Sequence, residues 1–235
     1  KKEENVWLHL DHVPAIDEDN LEVEYMPIFR EACSLGYQSV MIDGSRLPFK
    51  ENLEATRRVV EMVHPLGIPC EAELGAVLGH EKEPILSYNE LFRTGRGFTD
   101  LDEARMFVES TKCDWLSVAV GNVHGAISGA LKDQKKVEAR LNIERIGQLA
   151  KTTGIPLVLH GGSGIKQEYI LPAISMGVAK VNIATEIRQS YEQALRQTSS
   201  VEAAQQSVYE RTTWLIRDFF GMSGIRMVLG EFTRN

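Results

Sequence analysis

The sequence predicts an α/β protein whose strands all run parallel and curve into a barrel. Three observations carry this. Short runs of β-branched and apolar residues alternate with segments of helical periodicity. Several helix ends return to the next strand through the same apolar-Gly turn, and residues capable of chemistry collect at the C-terminal ends of the strands.

The strand-like runs are Val6 to Asp11, Ser39 to Asp43, Cys70 to Gly75, Trp115 to Val120, Leu157 to His160 and Lys180 to Ala184. Between them, Asn52 to His64, Leu101 to Thr111, Asn142 to Thr153 and Lys166 to Met176 have helical spacing, and strand-helix-strand alternation requires a parallel sheet. In Leu35-Gly36-Tyr37, Leu66-Gly67-Ile68 and Met176-Gly177-Val178 the glycine closes a helix, and the repetition argues for one domain over residues 1–235. From Glu186 onward the pattern is almost wholly helical, with Tyr191, Ala194, Leu195, Val208, Trp214, Leu215, Phe219 and Phe220 forming apolar faces. This segment, 186–235, is expected to pack on the barrel or on a neighbouring subunit, so a homodimer or homotetramer is anticipated.

Six strands do not close an eight-stranded barrel. The motif LHLDH stands almost at the first residue, so two N-terminal βα units are expected to be missing ahead of it. The alternative architecture is an open doubly wound sheet.

A chain of 235 residues with 43% hydrophobic and 25% charged residues can bury one large core. No apolar run approaches the roughly 18 residues that span a bilayer, so no membrane partner is expected. The formal charge of −7 argues against a nucleic-acid footprint but leaves room for a local phosphate site. Cys33, Cys70 and Cys113 are widely spaced and sit in apolar surroundings, as reduced core thiols of a cytoplasmic protein would. The opening KKEENVW has no signal-peptide pattern.

Of the six histidines, His64 lies inside a helical segment and is read as structural, with His9 and His80 less certain. His12, His124 and His160 each end a strand and precede turn or glycine-rich sequence, in LHLDHVP, VAVGNVHGA and LVLHGGSG. In a parallel barrel these ends share one rim, where three imidazoles can hold a catalytic zinc with a fourth position open. No CxxC or HExxH signature accompanies them, so three unrelated polar residues is the competing reading. Asp11 precedes His12, Asp43 ends the second strand, and Glu71 and Glu73 alternate along the third, bringing carboxylates to the same rim. Asp43 reads equally as a turn residue before Gly44, and Glu71 as a partner that orients a histidine.

Two segments suit an anion. Gly161-Gly162-Ser163-Gly164 allows backbone N–H groups to turn inward, and Asn182-Ile183-Ala184-Thr185 leads into a helix whose first amides favour phosphate.

In order and at similar intervals, HLDH, SVMIDGS, EAELG, GNVHG, LVLHGGSG and KVNIATE resemble the class II fructose-bisphosphate and tagatose-bisphosphate aldolases, from Leu8 to about Arg188. The resemblance implies a (β/α)8 TIM barrel with His12, His124 and His160 as zinc ligands and Glu73 at an alternative metal position. It implies Asp11 as the acid/base serving the substrate hydroxyl, with Asp43 and Ser45 in the surrounding shell. Glu81, in LGHEKE, aligns best with the glutamate that moves the proton at the ketose carbon, with Glu83 as a competitor. The phosphate-binding residues implied are Gly125, Gly161, Ser163, Asn182 and Thr185, and a monovalent cation, Na+ or K+, is implied near Gly125 and Gly161.

The implied reaction is reversible cleavage of a phosphorylated ketose to dihydroxyacetone phosphate and an aldehyde. The rivals are a barrel metallohydrolase and a non-catalytic sugar-phosphate-binding homologue. Two features depart from the family. Lys132 is displaced from the usual place of a phosphate-contacting lysine, and Glu83 to Phe98 forms a longer stretch carrying Arg93 and Arg96, read as a solvated surface insertion. No lysine at a strand end has the surroundings of a Schiff-base nucleophile; Lys180 merely begins the strand that leads to Asn182.

Overall fold

The computed structural model describes residues 6–75, 88–122 and 139–225. Its strands are β1 (His9–Pro14), β2 (Ser39–Asp43), β3 (Cys70–Leu74), β4 (Trp115–Val118), β5 (Leu157–Leu159) and β6 (Val178–Val181). They form one six-stranded sheet in sequence order, every neighbouring pair parallel, curled into a half-barrel. The helices are α1 (Tyr25–Ser34), α2 (Phe49–Val63), α3 (Tyr88–Thr94), α4 (Leu101–Thr111), α5 (Ile143–Thr153), α6 (Gln167–Ser175), α7 (Thr185–Thr198) and α8 (Val201–Trp214).

Period-two alternation divides each strand between two environments. Val40 and Ile42, Ala72 and Leu74, Leu116 and Val118, and Leu157 and Leu159 lie in one core cluster with the helix residues Val59, Val63, Phe107, Ile146, Leu149 and Ile170. The intervening residues, among them Ser39, Glu71, Glu73, Trp115, Ser117 and Lys180, belong to the other face, inside the curl. An apolar outer layer of this kind contributes about 1.5–3 kcal/mol for each fully buried large side chain. A polar interior is costly unless its groups find partners, so the inner face of the curl is where chemistry is to be sought.

Helix ends follow the local chemistry of the sequence. Asp100 caps α4 by accepting from Asp102 and Glu103 N–H, and Asn142 caps α5 by accepting from Arg145 N–H. Gly36, Gly67 and Gly177 stand where helices turn back to strands, with φ of 85°, 70° and 119°, backbone that a side chain would strain. His64 proves to begin the short 3-10 turn after α2 rather than to lie within the helix, and its Nε2 stands 2.9 Å from Asp114 Oδ2. Cys70 and Cys113 are buried and Cys33 partly so; all are free thiols, and burial pushes Cys113 up to about 12. No helix among the described residues is long and apolar enough to cross a membrane.

The C-terminal half of the predicted surface insertion is not simply solvated. α3 places Phe92 5.9 Å from Phe98, and the Arg140 guanidinium lies 4.7 Å from the Phe92 ring centroid and donates to Asn89 Oδ1 at 2.5 Å. Arg93 and Arg96 are exposed.

Thr99 ties the ends of β3 and β4 together. Its buried Oγ1 donates to Leu74 O at 2.6 Å and accepts from Ala119 N–H at 2.8 Å. Thr99→Val keeps the shape and strands both backbone groups, so a loss of about 2–4 kcal/mol is expected in denaturant unfolding. An unchanged midpoint would show that the two strand ends do not depend on this hydroxyl.

Candidate active site

β1 pairs with β2 through His9 with Ser39 and Leu10 with Val40, then slips so that Val13 pairs with Ile42. One extra residue is accommodated, and His12 sits in the resulting bulge with φ of 51°, in the left-handed region. His12 therefore does not end its strand, as the sequence suggested. The strand runs on to Pro14, and the bulge, a device that re-aims a side chain at the cost of strain, turns the imidazole into the curl.

What holds His12 is a short chain of hydrogen bonds. Its Nδ1 is 3.3 Å from Asp43 Oδ2, while Asp43 Oδ1 accepts from Ser45 Oγ at 2.6 Å and Ser45 N–H at 3.0 Å. Burial alone would raise the Asp43 carboxyl, but its hydrogen bonds with His12 and Ser45 hold it well below the usual carboxylate range. With Nδ1 occupied, the buried Nε2 is the atom turned inward, and the His12 and His160 ring centroids are 4.3 Å apart.

His160 follows β5 and is fully buried. Its Nε2 is 2.9 Å from Glu71 Oε1, and its Nδ1 is 2.8 Å from Glu73 Oε2. Burial lowers the imidazole's pKa, but the two carboxylates outweigh it and raise the value to about 9. Asn122 fixes the backbone here, its Nδ2 donating to His160 O at 3.0 Å while its Oδ1 accepts from Val120 N–H at 2.9 Å.

Asp11 lies across from β6. Asn182 Nδ2 donates to its two oxygens at 2.9 and 3.2 Å, with Lys180 Nζ and His9 Nε2 each 3.4 Å from Oδ1. Partial burial would raise this carboxyl, yet the hydrogen bond with His9 and the charges of Lys180, His12 and His160 keep it well below its ordinary value.

These groups converge closely enough to share a cation. Asp11, His12 and His160 offer ligand atoms all within 4.8 Å of one another, as do His12, Asp43 and Glu73. Imidazole nitrogens and carboxylate oxygens suit zinc, and His12 Nε2, His160 Nδ1 and Glu73 Oε2 are all buried in the site. The residues fit the metal that the sequence implied.

The two anion segments meet. Ser163 Oγ accepts from Glu186 N–H at 3.2 Å, in the first turn of α7, whose own N-cap residue, Ala184, has no side-chain acceptor. Gly161 has φ of 68°, and a Cβ on Gly162 would stand 2.5 Å from Val181 Cγ1 and 2.9 Å from Asn182 O. Glycine is what allows the loop this close to β6. Thr185 opens α7, and Asn182, just after β6, gives its amide to Asp11.

Glu81, His124, Gly125 and Lys132 lie outside the described residues. The sequence reading passed over Asn122 and Lys180 and left His9 open, all of which contact the site. Lys180 and Asn182 alternate on β6 as Glu71 and Glu73 do on β3, and that period-two signal was available to find Lys180.

The family described as fructose-bisphosphate aldolase class-II matches residues 1–224. The chain belongs to this family. Among its relatives, the Escherichia coli K12 protein YdjI is 44% identical over 165 residues, covering 70% of this chain and 54% of YdjI. A fructose-bisphosphate aldolase from Staphylococcus epidermidis is 37% identical over 192 residues, covering 82% of this chain and 58% of the relative. A 6-phospho-5-dehydro-2-deoxy-D-gluconate aldolase from Halalkalibacterium halodurans is 38% identical over 191 residues, with 81% and 57% covered. The crystal structure of the Escherichia coli YdjI aldolase superposes with a TM-score of 0.72 at 35% identity, covering 93% of this chain and 70% of that one. The chain thus spans 54–58% of the length of these curated relatives.

Proposed function

We propose that the protein is a zinc-dependent class II aldolase that cleaves a ketose phosphate reversibly to dihydroxyacetone phosphate and an aldehyde. The observation that supports this is the pairing of His12 and His160, ring centroids 4.3 Å apart, each held through one ring nitrogen by a carboxylate and both close enough to Asp11 to share a cation. His124 is the third ligand in this reading, and Glu73 an alternative one. The whole barrel is closed to eight strands by two further βα units. The assembly is a cytoplasmic homodimer or homotetramer.

When bound, zinc supplies a Lewis acid that polarises the ketone and favours the charge developing there in the transition state. Asp11 removes the proton of the C4 hydroxyl as the C3–C4 bond breaks. Asn182 holds its orientation by donating to both carboxylate oxygens. Glu81 returns a proton at the ketose carbon. Ser163, Gly161, Gly125, Asn182, Thr185 and the first amides of α7 hold the phosphate, and main-chain atoms near Gly125 and Gly161 hold a monovalent cation.

The relatives' names leave the aldehyde half open, since one is a fructose-bisphosphate aldolase and another acts on a deoxygluconate phosphate. Fructose or tagatose 1,6-bisphosphate, or a ketose 1-phosphate bearing another anionic group, are the substrates to present. The test is a panel of such ketose phosphates, read as dihydroxyacetone phosphate formed before and after chelation. Activity lost to the chelator and restored by zinc is expected. Full cleavage by a rigorously metal-free sample would overturn the mechanism, and a zinc-loaded protein that turns over no ketose phosphate would favour a binding homologue.

A further inference from the structure

Behind the metal-facing histidine lies a charged network that the proposed reaction does not itself use. Glu71 is completely buried, and each of its oxygens is taken: Oε1 is 2.9 Å from His160 Nε2, and Oε2 is 2.7 Å from Lys180 Nζ. Lys180 Nζ also lies 3.2 Å from His9 Nε2, and His9 Nδ1 is 2.8 Å from Ser39 Oγ.

The chemistry of these donors is one-directional. An ammonium only donates, so Glu71 Oε2 accepts from Lys180. A carboxylate buried without exposure carries a desolvation cost of several kcal/mol unless charged partners and hydrogen bonds offset it, and here His160 at Oε1 and Lys180 at Oε2 do so. With Oε2 held by Lys180, the carboxylate is oriented so that Oε1 meets His160 Nε2 and accepts its hydrogen. The nitrogen left for His160 to offer a metal is then Nδ1, which lies 2.8 Å from Glu73 Oε2.

We propose that Lys180 is a positioning residue that, through Glu71, fixes the tautomer and ring orientation in which His160 receives the metal. This rests on the metal-dependent reading above. Carboxylate partners behind ligating histidines are a general means of aiming a ligand, and here the partner is itself held by a lysine from the neighbouring β6. The second contact of Lys180, 3.4 Å from Asp11 Oδ1, counts for less. It is longer, and the side chains of Lys180 and Asp11 are 28% and 41% exposed, so solvent screens it.

The test is the zinc dissociation constant of Lys180→Met, measured by competition with a chromophoric chelator, beside kcat and KM for the ketose phosphate the parent cleaves. Zinc binding is expected to weaken by roughly 10- to 100-fold, with kcat at limiting zinc falling in parallel and KM at saturating zinc changed little. Lys180→Arg, which keeps a cationic donor, is expected to recover most of the zinc affinity. A folded Lys180→Met that binds zinc as tightly as the parent overturns the proposal, because a lysine serving only stability would lower the melting temperature and leave the metal alone.

Should the single variant fail to fold, Lys180→Met/Glu71→Gln removes the stranded carboxylate together with its cation. That protein is expected to fold and still bind zinc weakly; parental affinity in it overturns the proposal equally. A parent chain that binds no zinc at all refutes the metal-dependent reading itself, so the two failures are distinct.

Discussion

His12→Asn is expected to lose zinc and to lower kcat/KM for ketose cleavage by at least about three orders of magnitude, with the fold preserved. Removing a Lewis acid forfeits several kcal/mol of transition-state stabilisation, and each 1.4 kcal/mol or so is a factor of ten. Asparagine is the informative replacement because of the backbone. His12 sits at φ of 51°, a conformation that Asn tolerates better than other non-glycine residues, so the variant removes the imidazole without adding strain. Asp43 is not stranded by the change, since Ser45 still donates to it twice. His160→Ala would be a poorer probe. It leaves Glu71 and Glu73 buried with a partner missing, and folding and metal binding would fail together. Zinc content and kcat/KM decide the matter; a His12→Asn protein that keeps stoichiometric zinc and parental activity would remove His12 from the metal site.

Why His12 was found but its setting was not follows from what a sequence encodes. The outward faces of β2 to β5 are unbroken in their apolar alternation, so the parallel sense of the sheet and the arrival of Asp43, Glu73 and His160 at one rim could be read from spacing. A bulge inserts one residue into that count. From Val6 to Asp11 the period looked regular, and His12 was taken to stand at a strand end, whereas β1 begins at His9 and continues to Pro14. Contacts across long separations were likewise hidden. Lys180 meets Glu71 over 109 residues, and Arg140 meets Asn89 over 51, pairings that curvature of the sheet and docking of α3 create and that no local pattern records. Asn182 was recognised as a site residue from its motif, but its neighbour across the curl, Asp11, could be identified only with β1 and β6 in place.

That neighbour gives the second large effect. Asp11→Asn is expected to lower kcat for cleavage by about 10²- to 10⁴-fold while zinc content stays at the parental level, because the substitution keeps the shape and removes the base. The carboxylate accepts from Asn182 and lies beside Lys180, so an amide in its place turns at least one donor towards another, and a small loss of stability accompanies the change. Orientation and proton transfer separate in Asn182→Ala, which leaves Asp11 chemically intact but unheld. A smaller fall in kcat is expected there. The division of labour between Asp11 and Glu81 can be read independently of cleavage, by following exchange of the dihydroxyacetone phosphate carbon-bound proton with solvent deuterium. That step needs the group that moves a proton at carbon but not the one that serves the C4 hydroxyl. Asp11→Asn should therefore retain most of its exchange while losing cleavage, and Glu81→Gln should lose the exchange. If Asp11→Asn abolished both equally with zinc still bound, Asp11 would be acting on the carbon proton or holding the whole site together, and the assignment of two separate proton carriers would fall.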